Sequence, residues 1–218
     1  LQFPSVGFAV DDIDLDGKNE IVVLEDHRIH VYTYQDGKLK QLAEHEFSYM
    51  VNCLAVSVAK IDKDLPKLVI AGQDDRGGPS SIVATYMNGA INIEAEKIRY
   101  YLSAVKEPGS MRSMIVGQAA EQSSNKFKPG VYEMILNNDG SMMTASPLDL
   151  PKDATVFSFT YLPGGAKDED HLVVLSPEER LRVYTMSGSR LAETEEKYSG
   201  AAVGFPMTKD IKGLGPDR

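Results

Sequence analysis

The chain has 218 residues, of which 42% are hydrophobic and 25% are charged, a mixture that excludes extended disorder and a coiled coil. Its 32 acidic and 23 basic residues give a formal net charge of −9, which disfavours nucleic acid as the main partner. No apolar run approaches the roughly 20 residues of a membrane-spanning helix, so no transmembrane segment is predicted in this chain.

Short runs rich in β-branched and aromatic residues recur along the chain, and each is bounded by Gly, Asp, Asn or Pro. Runs of this length and with these boundaries are typical of β-strands. In chain order they are residues 20–24, 29–34, 67–71, 82–86, 113–116, 130–136, 171–175 and 181–186. The best candidate for a helix, 93–103, fits a strand equally well. The pattern therefore predicts an all-β protein.

The only cysteine, Cys53, lies in the apolar run 51–56. A single cysteine excludes an internal disulfide, a cysteine-rich zinc site and an iron–sulfur cluster. Free cysteine usually behaves as a small core hydrophobe, so Cys53 is predicted to be a buried strand thiol.

The strands also follow one another in a repeated order. A very apolar strand precedes a more alternating one that ends in a polar turn with Gly. The apolar strands recur at intervals of 46 to 58 residues, centred on Val22, Val69, Ile115 and Val173. Four units of this length, with about four strands each, predict a β-propeller of four-stranded antiparallel blades. We expect a single propeller domain or fragment over 1–218, with approximate blades 5–50, 51–105, 106–152 and 153–200.

The end of the chain repeats its beginning. Val6-Gly7-Phe8, followed by Asp12-Ile13, returns as Val203-Gly204-Phe205, followed by Asp210-Ile211. Chance recurrence of a three-residue string is the alternative explanation. The repeat predicts that 201–218 begins a fifth blade with its first strand. The intact ring would then have more than four blades, and the remaining blades would come from further sequence or from another chain.

The strongest chemical motif is a loop directly before the strand at 20–24. Carboxylates occupy its positions 1, 3, 5 and 9: Asp12, Asp14, Asp16 and Glu20. Gly17 at position 6 allows a sharp turn, after which the Lys18 carbonyl can face the same point. Hard oxygen donors of this number suit Ca²⁺. The loop has none of the nitrogen and sulfur ligands that Zn²⁺ prefers. A solvated Asp-Gly turn is the alternative.

The flanking sequence disfavours an EF-hand, because position 12 is Val23 and both flanks are strands. Gly7-Phe8, the loop 12–17 and the strand that follows it instead resemble the FG-GAP or VCBS repeat family. The resemblance implies a β-propeller of the kind found on integrin α-chains and on secreted or surface bacterial proteins, often with calcium in this loop. It assigns the ion ligands to Asp12, Asp14, Asp16, Lys18 (by its carbonyl) and Glu20. Glu20 departs from the commoner Asp at that position.

The corresponding loops of the other blades have lost the motif. Residues 60–66 contain two carboxylates and no Gly, 107–110 contains one acid, and the acids of 163–170 come too late before their strand. One ion site is therefore predicted. Two long polar loops, 72–81 and 119–129, are candidates for recognition or are tolerated insertions. The four histidines, His27, His30, His45 and His171, are predicted to be structural or solvated.

These observations favour a non-enzymatic, calcium-binding propeller that mediates protein or glycan recognition. The expected setting is extracytoplasmic, such as the periplasm, the outer membrane as a lipoprotein, or the cell surface, with a targeting segment not present in this chain. Millimolar external calcium suits a loop site of modest affinity. The first alternative is an accessory or catalytic propeller domain of a carbohydrate-active enzyme. A second alternative, an intracellular WD-like scaffold, would require Trp-Asp signatures, and the chain has no Trp.

Overall fold

The structure is a computed structural model that describes residues 5–61, 64–110, 112–121, 126–137, 139–164 and 169–198. Within these residues the chain forms β-strands and no helix, and the strands are arranged in four sheets of four. The predicted all-β architecture of four-stranded antiparallel blades is therefore confirmed. The predicted first strand of a fifth blade, within 201–218, lies outside the described residues.

Each sheet is an up-and-down meander in which strands adjacent in sequence pair antiparallel. Blade 1 consists of β1 (Gly7–Asp11), β2 (Glu20–Leu24), β3 (Arg28–Gln35) and β4 (Lys38–Glu46). Blade 2 consists of β5 (Val51–Ala59), β6 (Lys67–Asp74), β7 (Ser81–Met87) and β8 (Ala90–Ile98). Blade 3 consists of β9 (Tyr101–Lys106), β10 (Ser113–Gln118), β11 (Tyr132–Leu136) and β12 (Met142–Pro147). Blade 4 consists of β13 (Phe159–Leu162), β14 (His171–Leu175), β15 (Leu181–Thr185) and β16 (Arg190–Glu193).

Two of the outer hairpins show why the polar turns recur in the sequence. The turn between β3 and β4 places Asp36 and Gly37 at φ values of 52° and 75°, and the turn between β7 and β8 places Asn88 and Gly89 at 53° and 78°. Two successive positive φ angles define the tight hairpin turn that matches the twist of antiparallel strands. Asp, Asn and Gly tolerate this conformation best, so the turn chemistry sets the register of both hairpins.

The blades stack face to face, and each sheet buries its apolar side chains against its neighbours. We call the face towards the following blade the forward face and the opposite one the rear face. The core between blades 1 and 2 joins Val22, Leu24, Ile29 and Val31 on the forward face of blade 1 to Leu68, Ile70, Ile82 and Ala84 on the rear face of blade 2. Side chains alternate between the two faces along each strand, so the residues between these apolar positions point to the opposite face of the sheet.

The next two interfaces repeat this arrangement. Between blades 2 and 3, Val69, Val83 and Ala95 pack with Leu102, Ile115 and Met134. Between blades 3 and 4, Tyr101, Val105 and Val116 pack with Phe159, Tyr161, Leu172 and Val174. The first strands of successive blades lie side by side, as expected for the inner strands of a propeller. The described sheets form an arc and not a closed ring, consistent with part of a larger propeller.

One long loop contributes to this core. Phe127, from the segment between β10 and β11, lies edge-on to Tyr101 at 5.7 Å and contacts Phe157 at 6.2 Å, measured between ring centroids. Ala120 and Phe127 also form an isolated β-bridge. The loop 119–129 therefore packs an aromatic anchor between blades 3 and 4, a role that its polar composition did not predict.

The predicted environment of Cys53 is confirmed. Its side chain is buried in the core between blades 1 and 2. Burial raises the pKa of the Cys53 thiol to about 12, with a smaller contribution from the charge of Asp26. A thiol of this kind stays protonated at neutral pH, so Cys53 is a packing residue.

Candidate metal centre

The acidic loop connects β1 to β2 at the rim of the arc. Leu15 and Gly17 both adopt positive φ, 64° and 87°. The Gly17 N–H donates to Asp12 Oδ2 at 3.1 Å across the turn. These features curl the loop back on itself, so that its first acid faces the start of β2.

Three of the predicted ligands converge. Asp12, Asp14 and Glu20 each offer one carboxylate oxygen, and the three oxygens lie within 4.8 Å of one another. Among the described residues this is the one group of three or more His, Cys, Asp or Glu side chains with such spacing. Glu20 is only 2% exposed, and its Oε2 accepts a hydrogen bond from the Ile13 N–H at 3.1 Å.

The electrostatics of this group suit a bound cation. Burial raises the pKa of Glu20, the Ile13 N–H opposes this shift, and the charges of Asp14, Asp16 and Asp12 raise it further. Two full charges about 4.8 Å apart repel by roughly 3 kcal/mol at an effective dielectric constant of about 20. A hard divalent cation would offset this repulsion, and carboxylate oxygens are the donors that it prefers.

One oxygen of the group is left without a protein partner. Asp12 Oδ1 is buried and accepts no hydrogen bond from the described part of the chain. A buried carboxylate oxygen in this state costs free energy unless another group satisfies it. The residues present therefore fit a metal ion held by Asp12, Asp14 and Glu20.

The other two predicted ligands lie at the solvent side of the loop. Asp16 Oδ1 accepts a hydrogen bond from the Lys18 N–H at 2.8 Å, and Asp16 Oδ2 lies 3.9 Å from Lys18 Nζ. The Asp16 N–H in turn donates to Asp14 Oδ1 at 3.1 Å. Asp16 thus orders the turn around Asp14, while ligation by Asp16 and by the Lys18 carbonyl stays a prediction.

The loop is anchored in the core between blades 1 and 2. The Ile13 side chain is completely buried there, in the same cluster as Tyr86 of blade 2. Burial raises the pKa of Tyr86, and the charges of Asp14, Glu20 and Asp16 raise it further. The Tyr86 hydroxyl therefore lies in the field of the acidic loop. Its position was not predicted, because β7 is distant from the loop in the sequence.

A neighbouring ion pair ties the same two blades together. Asp11, the last residue of β1, accepts a hydrogen bond from Lys60 Nζ, which follows β5 of blade 2. Lys60 is the first residue of the second loop, 60–66, which lacks the cation motif in the sequence. The Lys60 ammonium group therefore neutralises Asp11, the acid that directly precedes the cation loop.

Asp170, which stands too late in its loop to match the cation motif, links blades 3 and 4. Its Oδ1 accepts from the Gly164 N–H at 2.9 Å, and its Oδ2 accepts from the Gly109 N–H of blade 3. These two hydrogen bonds lower the pKa of Asp170, and the charge of His171 contributes in the same direction. The Asp170 side chain therefore links a rim loop of blade 3 to a rim loop of blade 4; we call this link the Asp170 clamp.

We expect Asp170→Asn to lower the melting temperature at neutral pH, because an amide cannot accept two charge-assisted hydrogen bonds as strongly as a carboxylate. The lowered pKa means that the carboxylate stabilises the fold above its unfolded pKa of about 3.9. This contribution disappears as the pH falls through the folded pKa. The difference in melting temperature between wild type and Asp170→Asn should therefore vanish in strong acid. Glu169→Gln, an exposed neighbour with the same charge change, is the control and should melt like wild type at neutral pH.

The fold and the site together define a propeller-type protein with an acidic loop between the first two strands of a blade. Residues 12–65 match a family model described as an FG-GAP-like repeat. The match runs from the acidic loop of blade 1 to the equivalent loop of blade 2, so this part of the chain is an FG-GAP-like repeat, as its motif predicted. A search of curated proteins gave no match. The described part of the chain contains no helix that is long and apolar enough to span a membrane.

Proposed function

We propose that this chain is a non-enzymatic, calcium-binding β-propeller module that presents a recognition surface for a protein or glycan in an extracytoplasmic setting. The observation that carries the proposal is the convergence of three carboxylate oxygens within 4.8 Å around a buried glutamate. The unpartnered Asp12 Oδ1 adds an acceptor that a cation would satisfy.

The chemistry of the donors favours calcium among the common divalent ions. All side-chain donors are carboxylate oxygens, whereas structural zinc sites use thiolate and imidazole. Ca²⁺ accepts six to eight oxygens in flexible geometry, whereas Mg²⁺ demands a near-ideal octahedron. An exposed loop that can also supply backbone carbonyl oxygens suits the flexible coordination of Ca²⁺ better than the strict octahedral geometry of Mg²⁺.

The proposed setting follows from the modest affinity expected of such a loop. Sites in extracellular modules bind calcium with dissociation constants of about 10⁻⁴ to 10⁻³ M, which fits millimolar external calcium. The FG-GAP-like repeat over 12–65 supports the same setting, since the family resemblance includes secreted and surface proteins. The net charge of −9 supports a partner other than nucleic acid.

A cleft of about 510 Å³ supports the recognition part of the proposal. It lies at the rim opposite the cation loop, between blades 1 and 2. The connection between β6 and β7, which is shorter than the predicted loop 72–81 because 72–74 belong to β6 and Ser81 to β7, contributes Arg76 and Ser80 to its wall. Phe47 and Met50 provide apolar surface beside the charged side chain of Arg99. Such a combination of apolar floor and placed polar groups is typical of ligand sites.

Isothermal titration calorimetry tests the ion site directly. We expect one calcium ion to bind per chain, and Mg²⁺ to bind more weakly under the same conditions. Glu20→Gln should abolish the binding heat because it removes the buried charge at the centre of the site. Asp64→Asn, the matched change in the second loop, should leave binding unchanged. Wild-type protein that gives no calcium heat, or that binds equally after Glu20→Gln, would contradict the proposal.

A further inference from the structure

Two consecutive residues of β8 line the cleft between blades 1 and 2. Side chains of a regular strand alternate between its two faces, yet Glu96 and Lys97 both belong to the wall of this cleft. The register between β7 and β8 shifts here, so that these two residues stand opposite Ile82 alone. Lys97 has a φ of 57° and is the one residue with positive φ inside a strand of the described part of the chain. The cleft is therefore shaped by a β-bulge, a feature that redirects side chains beside binding sites.

Arg99 is held in a fixed position in the same wall. Its guanidinium donates to Asp74 Oδ2 at 2.6 Å, and Asp74 Oδ1 accepts the N–H groups of Arg76 and Gly78. The Arg99 side chain is nevertheless 62% exposed, so this bond uses only part of its N–H donors and leaves the others to solvent. A guanidinium that is ordered before binding can hold a carboxylate with little further loss of side-chain entropy.

The acidic side chains of the cleft do not cancel this charge. Of the four acids that its described wall contains, three already have partners in the protein: Asp74, Glu46 with Arg28, and Glu96 with Lys97. The fourth, Asp75, is exposed to solvent. The Arg76 side chain also lines the cleft and makes no ion pair with the described residues. An incoming carboxylate therefore meets two guanidinium groups, of which one is already ordered.

The apolar part of the wall suits an aliphatic side chain better than a sugar ring. Met50 is 46% exposed, and Ile93 lines the cleft beside it. Phe47 is only 7% exposed, and the His45 ring lies against it at 5.1 Å between ring centroids. Phe47 therefore offers no open aromatic face on which a sugar could stack. A methionine side chain adapts its shape to varied apolar groups, as surfaces that bind peptides require.

We propose that this cleft binds an acidic and apolar segment of a protein partner, with a carboxylate on the Arg99 guanidinium and a neighbouring aliphatic side chain against Met50 and Ile93. The inference rests on the recognition part of the proposed function and narrows its ligand from a protein or glycan to a peptide segment. Arg99 also lines an adjoining cleft together with Tyr100 and Lys128, so a longer segment has further surface to contact.

NMR titration of the ¹⁵N-labelled chain tests the proposal with three acetylated and amidated tripeptides. Glu-Leu-Glu should shift the amides of the cleft. Gln-Leu-Gln lacks the charge and Glu-Ala-Glu lacks the aliphatic group, so each should bind about ten-fold more weakly. Arg99→Gln and Met50→Ser should each weaken the binding of Glu-Leu-Glu by a similar factor. Arg190→Gln, which removes an exposed arginine with a carboxylate partner outside the cleft, should bind like wild type.

Several results would overturn the proposal. A titration in which Glu-Leu-Glu shifts no cleft amide would remove the peptide site, and equal binding of Gln-Leu-Gln would remove the carboxylate contact. Maltotriose and cellotriose test the other class of ligand. Shifts of the cleft amides with either sugar, but not with the peptide, would assign the cleft to a glycan and leave its recognition function in place. Calcium calorimetry reports on the ion site at the opposite rim, so a failure there is distinguishable from a failure of the cleft.

Discussion

Calcium should raise the melting temperature of this protein by about 5 to 10 °C when present at about one hundred times its dissociation constant, and Asp14→Ala should abolish the rise. Saturation to this degree stabilises the folded state by about 2.7 kcal/mol. For a domain of about 200 residues, each kcal/mol shifts the melting temperature by about 2 to 4 °C. The measurement is a thermal melt with calcium or with a chelator.

The structure explains why one carboxylate should have so large an effect. Asp14 is one of three converging donors, and its Oδ1 also accepts the Asp16 N–H. Its loss removes a ligand and loosens the turn that holds the others. In the chelated state the same change also removes part of the repulsion on Glu20, which opposes the loss of the hydrogen bond from the Asp16 N–H. Without calcium, Asp14→Ala should therefore melt close to wild type.

Asp64→Ala is the matched control for this prediction. Asp64 is an exposed acid in the equivalent loop of blade 2, where no cluster of three acids forms among the described residues. It should therefore keep the full calcium response. A calcium response that survives in Asp14→Ala would place the ion elsewhere, and a wild-type melt that ignores calcium would remove the ion site altogether.

Ile13→Ala should destabilise the protein by about 2 to 5 kcal/mol, the range for truncating a fully buried aliphatic side chain. Ile13 is completely buried in the core between blades 1 and 2, although it belongs to an otherwise polar loop. Its N–H also donates to Glu20 Oε2, so movement of its backbone displaces a proposed ligand. We therefore expect a weaker calcium affinity in addition to the loss of stability.

Leu15→Ala separates this effect from a general loss of apolar surface in the loop. Leu15 lies two residues away, has a φ of 64°, and is 51% exposed. Its truncation should change the free energy of unfolding by less than about 0.5 kcal/mol. Denaturant unfolding with and without calcium measures both variants. Equal effects of Ile13→Ala and Leu15→Ala would argue against an anchored loop.

The local sequence predicted part of the geometry of the acidic loop. The spacing of the carboxylates and the position of Gly17 predicted a turn that brings several carboxylates together. Three of them, those of Asp12, Asp14 and Glu20, do converge. Spacing alone could not show that Glu20 is buried while Asp16 faces Lys18. That difference arises because the loop is pressed against blade 2, whose Tyr86 comes from a distant part of the chain.

The strands and hairpin turns were determined by the sequence itself, together with the repeat of four blades and the FG-GAP-like loop. Alternating apolar residues and positive-φ turns act between near neighbours, so they leave a readable pattern. The tertiary structure alone decided the contacts between blades, such as the Asp170 clamp, the Lys60–Asp11 pair and the Phe127 anchor. These contacts depend on how one sheet is aligned over the next, and no local pattern of residues encodes that alignment.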